Sequence, residues 1–493
     1  MKHKIKWILI QLIVVLMAVA CSEEFFTEIP SDRVVPEQTL NSLEEAELAC
    51  WAPISILQEV MPQITFACDL LSDATITTGN ANSYWNDINK HQLSADNPYL
   101  DPSALYKVVV NANETLLYIE SILSKDQDVR ESDLHVLKGN LIGIRSWAYF
   151  TIARLYGEVA YLKDNLPEYD ESKVVYLSRE AVMDTLLNNL LPYYENDRLD
   201  AENNRLSFRV LPMYNKALVG EIYLEKQDYV KAAEYLKLAI EGWDNFPTIY
   251  KISGSYAKKY WREIFVGYPA NEVMAYIPFY YGQKQPNPIE MWYRYNREYQ
   301  AKPSNSIINL FNAQVPVAGK DVGDVYRGLD VSYVMVDDQP VVNKYSLDES
   351  STWELSSYLI LYRAADIHLL LAEALNRIGE SEIALSILND GYKRYPNWNT
   401  NTGIRGRVYL KNHTIPDGVD PVTFIEDKIF EERAMELAFE GKRWFDLQRL
   451  ARRRGNNALL ADKVAAKFSD TSVANSVREK LMNEQNWYLP MLK

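Results

Sequence analysis

Cysteine is scarce: the 493-residue chain has three, Cys21, Cys50 and Cys68. So few thiols exclude a fold held by a framework of bridges. Cys50 and Cys68 could pair in an oxidising compartment or stay as two free buried thiols, and both readings stand open at this point. The five histidines, His3, His91, His135, His368 and His413, show no metal-ligand spacing, so no metal and no cofactor is expected. There is no Gly-x-Ser-x-Gly elbow and no phosphate loop. Basic residues are outnumbered, 52 Lys and Arg against 67 Asp and Glu, for a net charge of −15. Without a basic stripe to neutralise phosphates, nucleic acid is excluded as a partner. Long apolar runs are missing too, except at the N-terminus.

That exception carries an address. Lys2, Lys4 and Lys6 precede an apolar run from Ile8 to Val19, which ends in Ala18-Val19-Ala20 before Cys21. A basic start, a short apolar segment and small residues at the cut read as a secretory signal, removed from the mature chain. The run is too short for a spanning helix, which needs about 20 apolar residues. Ala20-Cys21 resembles a bacterial lipobox, with Ala18 where leucine is more usual. The resemblance implies that residues 1–20 are removed and that the Cys21 thiol is acylated. Several acyl chains at about 0.8 kcal/mol per buried methylene hold a protein firmly on a membrane. Ser22-Glu23-Glu24 is similar to the export signal of surface lipoproteins in Bacteroidetes, which implies an outer-membrane anchor facing outward.

What is plentiful is helical pattern and tyrosine, 34 residues of it. Leu211–Trp243 reads as a helix–turn–helix: Gly220 and Tyr223 on the first helix, Gln227-Asp228-Tyr229 at the turn, Ala232, Leu236 and Ala239 on the second. Leu369–Pro396 repeats the pattern with Ala372, Leu375, Ala384 and Leu388 around Gly379-Glu380-Ser381. These spacings resemble tetratricopeptide repeats. Ala232 and Ala384 are not separated by a multiple of the roughly 34-residue repeat, so the copies are scattered. A helix apolar nearly all round is predicted over Leu134–Tyr156, stopped by Gly157. Further helices are predicted over Val174–Leu191 and Asn41–Leu57, the latter weakened by Pro53.

Two stretches break the pattern, Gln63–Pro102 and Pro247–Ser350. Loops this long are functional or disordered, and their Trp and Tyr content argues against disorder.

The C-terminal stretch Ile425–Leu450 reads as one structural helix. Phe430, Ala434, Leu437, Gly441 and Trp444 form its apolar seam. Glu432, Glu436 and Glu440 lie at i, i+4 intervals, with Lys428, Arg433 and Arg443 as their expected partners. Paired catalytic acids face each other across a sugar, with one desolvated; a row interleaved with cations does neither. No catalytic residue is expected.

"ERAMELAFEGKRWFDLQRL", "IRSWAYFTIARLYGEV", the scattered repeats and the Cys21-Ser22-Glu23-Glu24 start together resemble the SusD/RagB family, over essentially the whole chain. The resemblance implies a mainly all-α, SusD-like fold. After the signal, residues 21–493 would form one domain. Repeat-type helices would span about 103–245 and 355–396, loop-rich regions about 63–102 and 247–350, and the C-terminal motif 424–452. It implies a non-enzymatic surface lipoprotein that captures an oligosaccharide, or in some members a peptide, for a SusC-like TonB-dependent transporter. A surface glycan hydrolase and a protein-only repeat scaffold are the competing readings. Family members commonly end in a Pro-rich tail; here Trp487-Tyr488-Leu489-Pro490 resembles its start and the sequence stops at Lys493.

The same resemblance places the ligand site on the non-repeat loops. Sugar binding needs flat aromatics beside paired hydrogen-bonding side chains. Asn82, Tyr84, Trp85, Asn86 and Asp87 have that composition in the first loop. Tyr280, Tyr281, Gln283, Trp292, Tyr293, Arg294 and Tyr295 have it in the second. Trp85 and Trp292 either stack on ligand or pack the loops onto the helices.

Overall fold

The computed structural model describes residues 40–163, 174–194, 213–241, 261, 263–266, 272–280, 282, 285–317, 322–345, 356–392 and 403–491. Cys21 and the signal segment lie outside them, as do Tyr281, Gln283 and Pro396. The described chain is mostly helical, and its strands pair only two at a time. One continuous apolar cluster runs from Ile54 to Leu489, with a smaller one around Cys50 and Leu137.

The first helices are α1, Leu43–Ala49, and α2, Trp51–Leu71. The expected helix at Asn41–Leu57 is therefore two, and the second runs fourteen residues further than predicted, to Leu71. Pro53 lies in the first turn of α2, where a missing N–H costs nothing; Pro62 sits inside and removes one helical bond. Then come β1, Thr75–Thr77, α3, Ser83–Asn89, and α4, Ser103–Tyr118. The helix α5, Glu131–Tyr156, is buried on nearly every side over its second half, as its all-round apolarity requires. Gly157 ends it at φ +80°. Next are β2, Val159–Tyr161, β3, Val175–Leu177, and α6, Arg179–Leu190. The predicted helix over Val174–Leu191 therefore starts late, because Ser178 caps it by accepting from Ala181 N–H and the residues before it pair as a strand.

Both helix pairs are present among the described residues, the second starting at Ala364, before the predicted Leu369; Leu211, Trp243 and Pro396 lie outside the described residues. The first is α7, Asn215–Glu225, with α8, Tyr229–Glu241. A Cβ on Gly220 would fall 2.6 Å from Leu236 Cγ, so glycine is what permits this crossing. Gln227 carries the turn at φ +63°.

Between the pairs lie β4, Val273–Ile277, α9, Pro288–Tyr293, β5, Ala301–Pro303, and α10, Asn305–Asn312. The hairpin β6, Tyr333–Val336, and β7, Gln339–Val342, follows, then β8, Leu359–Arg363. The second repeat pair is α11, Ala364–Arg377, and α12, Ser381–Asn389. Helix α8 packs on α11, so repeats scattered in sequence are stacked in space.

The C-terminal motif is not one helix. It is α13, Pro421–Glu436, and α14, Arg443–Arg454, joined by a break with Phe439 at φ +67° and Gly441 at φ +70°. The single seam predicted through Leu437 and Gly441 is therefore interrupted. A Cβ on Gly441 would sit 2.9 Å from Thr65 Cα, which makes the break the point where this motif meets α2. Helices α15, Ala458–Ala465, and α16, Thr471–Leu481, follow, then a short 3-10 turn at Glu484–Trp487. The tail is packed: Trp487 is buried and Leu489 N–H donates to Leu155 O at 2.7 Å. No helix among the described residues is long and apolar enough to cross a membrane. Cys50 and Cys68 are both free and buried, and burial pushes both thiols up.

Candidate functional site

The carboxylates of the C-terminal motif find none of the partners expected of them. Glu432 pairs with Arg327 Nη1 at 3.0 Å and with Arg405. Glu436 takes Arg363 Nη1 at 2.7 Å, Arg327 at 3.0 Å and Arg407. Glu440 takes Lys344 Nζ at 2.7 Å and Arg363 Nη2 at 2.8 Å. The expected partners face elsewhere: Lys428 meets Glu431, Arg433 meets Asp366 and Asp446, and Arg443 meets Asp73. The reason is burial. All three glutamates are buried: Glu432 and Glu436 on α13 and Glu440 in the break after it face inward, to Arg327 and Lys344 from the loop-rich half, Arg363 from β8, and Arg405 and Arg407 from the segment before α13. Burial alone would raise the Glu432 carboxyl; Arg327, with His413 and Arg405, more than offsets it and holds the group well below its usual range. Lys344 Nζ also donates to the carbonyls of Glu436 and Ala438, which supplies partners where the helix ends. This network locks segments together; it presents no acid to a substrate.

The two candidate loops do come together. Strands β1 and β5 pair antiparallel, Thr75 opposite Pro303 and Thr77 opposite Ala301. Thr78 N–H donates to Gln300 O at 3.0 Å, and the Gln300 side chain accepts from Asn82 N–H at 2.9 Å. Asn82 caps α3, its Oδ1 accepting from Trp85 N–H at 3.0 Å. The ring centroids of Trp85 and Trp292 then lie 5.4 Å apart. Phe66, from α2, sits between the loops, 4.8 Å from Trp85, 5.2 Å from Trp292 and 4.9 Å from Tyr293.

Meeting is not the same as facing outward. Trp85 is 1% exposed, and Tyr99 stacks on it at 3.8 Å with the planes 3° apart. Of the two roles open to it, stacking on ligand or packing the loops onto the helices, its covered ring face favours packing. Tyr293 is equally buried and donates to Asp69 Oδ2 at 3.0 Å. Arg294 is buried against Glu290 at 3.1 Å. Asn86 is spent on its own loop, accepting from Thr77 Oγ1 and donating to the carbonyls of Ala81 and Asn82. Asn82 Nδ2 donates to the Tyr99 hydroxyl at 3.2 Å. Tyr295 is half-buried against Tyr299, 5.1 Å away. Tyr280 is exposed, held by a bridge to Gln285.

What remains open is Tyr84, 44% exposed, with Tyr99 edge-on to it at 6.1 Å and Trp292 half-buried beside the Trp85 stack. Tyr99, Phe66 and Asp69 were not singled out by sequence. Tyr99 stands alone between Pro98 and Leu100, and Phe66 and Asp69 lie one turn apart on a helix predicted to end earlier. Asp69 Oδ1 also accepts from Gly441 N–H at 3.1 Å, so one carboxyl ties the aromatic cluster to the break in the C-terminal motif. Burial raises it to about 7 against the opposing bonds from Tyr293 and Gly441 and the charge of Lys344.

Fold and site define a class: a helical-repeat scaffold that carries a loop-built aromatic face. Residues 291–493 match the model of the SusD family, and residues 53–190 match the family described as "Starch-binding associating with outer membrane". The chain belongs to the SusD/RagB family. It is 23% identical to the SusD-like protein P38 of Formosa agariphila, over 89% of this chain and 90% of that protein. A SusD superfamily protein of Bacteroides vulgatus superposes with a TM-score of 0.69 at 17% identity, covering 92% of this chain and 96% of the other. A SusD-like carbohydrate-binding protein from the same species gives 0.62 at 15% identity, covering 83% and 84%.

Proposed function

We propose that this protein is a non-catalytic, surface-displayed lipoprotein that captures an oligosaccharide and hands it to a SusC-like TonB-dependent transporter. The observation that carries the binding step is the β1–β5 pairing, which sets Tyr84, Tyr99 and Trp292 around one buried aromatic support. A flat, partly wet aromatic rim suits the apolar face of a sugar ring, and the buried Trp85 and Phe66 beneath it fix the rim without an entropy cost on binding. The carbohydrate-binding relative from Bacteroides vulgatus supports a glycan over a peptide. The basic, apolar and small-residue N-terminus before Cys21 supports the anchor, and the family description "associating with outer membrane" supports the address.

The test is titration calorimetry of the mature protein against a glycan panel, with Tyr84→Ala and Trp292→Ala beside the wild type. Saturable binding without product release, weakened in both variants, is expected. Hydrolysis of any glycan, or unchanged affinity in both variants, overturns the reading.

A further inference from the structure

A small cavity lies beside the break in the C-terminal motif. Four parts of the chain line it: Thr65 on α2, Thr151 and Arg154 on α5, Leu361 on β8, and Glu440 and Lys442 at the break. Its volume is about 30 Å³. A water needs roughly 10–15 Å³ of such space, whereas pockets for organic ligands run to roughly 300–1,000 Å³.

The lining carries two polar atoms with no hydrogen-bond partner among the described residues, Thr151 Oγ1 and Arg154 Nε. Both residues are buried. Thr151 stands inside α5, and a threonine in a helix can donate back to the carbonyl four residues earlier. Thr115 does so to Asn111 O and Thr185 to Ala181 O, each at 3.0 Å. Thr151 does not. Arg154 is clamped: its guanidinium carbon lies 4.0 Å from the centre of the Phe150 ring and 4.1 Å from that of Phe445. Its Nη1 donates to Glu221 at 2.7 Å. Held on both faces and at one end, the group cannot turn Nε toward another acceptor. A buried donor and a buried hydroxyl left unpaired are both costly, so each calls for a partner in the cavity.

The charges around the cavity decide what that partner is. Glu440 opposes an anion there; Arg154 and Lys442 oppose a cation. Each already has a counter-charge: Arg154 pairs with Glu221, Lys442 with Asp366 at 3.2 Å, and Glu440 with Lys344. The occupant is therefore neutral and small. It must accept from Nε–H and meet a hydroxyl that both donates and accepts. Water has that size and that chemistry.

We propose that this cavity is a structural water site, in which one water accepts from Arg154 Nε–H and bonds the Thr151 hydroxyl. The water fills the joint between α5 and the break at Gly441, where glycine already permits the close approach of α2. The proposal is independent of the glycan face at Tyr84.

The experiment is crystallography of the mature protein at a resolution that shows ordered solvent, with Thr151→Val, Thr151→Ser and a bromide soak of the wild type. The wild type should show one solvent peak about 2.7–3.2 Å from both Thr151 Oγ1 and Arg154 Nε. Thr151→Ser keeps the hydroxyl and should keep the peak. Thr151→Val keeps the branched shape without the hydroxyl and should lose it. If Thr151→Val fails to fold, the wild-type and Thr151→Ser maps decide. A dry cavity, a Thr151 hydroxyl turned onto Trp147 O, an anomalous bromide peak in the cavity, or a peak that persists in Thr151→Val overturns the proposal.

Discussion

Asp69 and Tyr293 are joined by a 3.0 Å hydrogen bond across 224 positions of sequence. The same carboxyl takes the N–H of Gly441, so α2, the second candidate loop and the C-terminal motif meet at one group. Its surroundings set its titration. Tyr293, Tyr345, Lys344, Glu440, Lys467 and Cys68 face it, and burial outweighs the favourable contacts.

A pH dependence of stability follows. The folded-state value of about 7 lies above the ordinary 3.8, so the fold favours the protonated acid. The stability it contributes is fully present below about pH 4 and is lost as pH rises through 7. Asp69→Asn should remove this component. Denaturant midpoints of wild type and variant, compared from pH 4 to pH 8, should converge or cross in the variant's favour as pH rises; a constant difference contradicts the assignment.

The buried pairs of the C-terminal motif separate from its surface charges. Arg363→Ala leaves Glu436 and Glu440 short of a partner and should cost about 3–5 kcal/mol. Lys428→Ala, which loses a half-exposed contact to Glu431 and a 5.7 Å approach to the Phe424 ring, should cost less than about 1 kcal/mol. Urea denaturation distinguishes the two, and equal costs would return Lys428 to the role the sequence suggested.

Two glycines test the close approach. Gly441→Ala meets both a left-handed backbone and Thr65 Cα at 2.9 Å, and should destabilise by about 1–3 kcal/mol. Gly79→Ala meets nothing within 4 Å and should be near neutral.

These contrasts show what was legible beforehand. Periodicity and small residues sufficed for α5, α7, α8, α11 and α12, because local spacing alone dictates a buried stripe or a crossing such as Gly220 on Leu236. The glutamate row was misread because i, i+4 spacing is blind to partners far away in sequence: Arg327 and Arg363 come from outside the motif altogether. The break at Phe439–Gly441 was hidden for the same reason, since it answers to Thr65 and Asp69. At the candidate site, composition marked two loops that the fold brings together, but not which of their side chains face outward. Which of Tyr84 and Trp85 faces water depends on Tyr99, and adjacent residues on α3 point in different directions.

The anchor is checked separately from binding. Cys21→Ala should leave the protein unacylated and shift it out of the membrane fraction, with intact-mass spectrometry showing no lipid adduct. An unmodified Cys21 in the wild-type protein would contradict the lipoprotein reading.

The most direct test sets neighbours against each other, Tyr84→Ala and Trp85→Ala, each measured for glycan affinity by calorimetry and for stability by thermal melting. Tyr84→Ala should lose about 1–2 kcal/mol of affinity at an unchanged melting temperature. Trp85→Ala should lose about 3–5 kcal/mol of stability, since it empties a buried stack. Full glycan affinity in Tyr84→Ala, or a stable Trp85→Ala that alone fails to bind, would contradict the account.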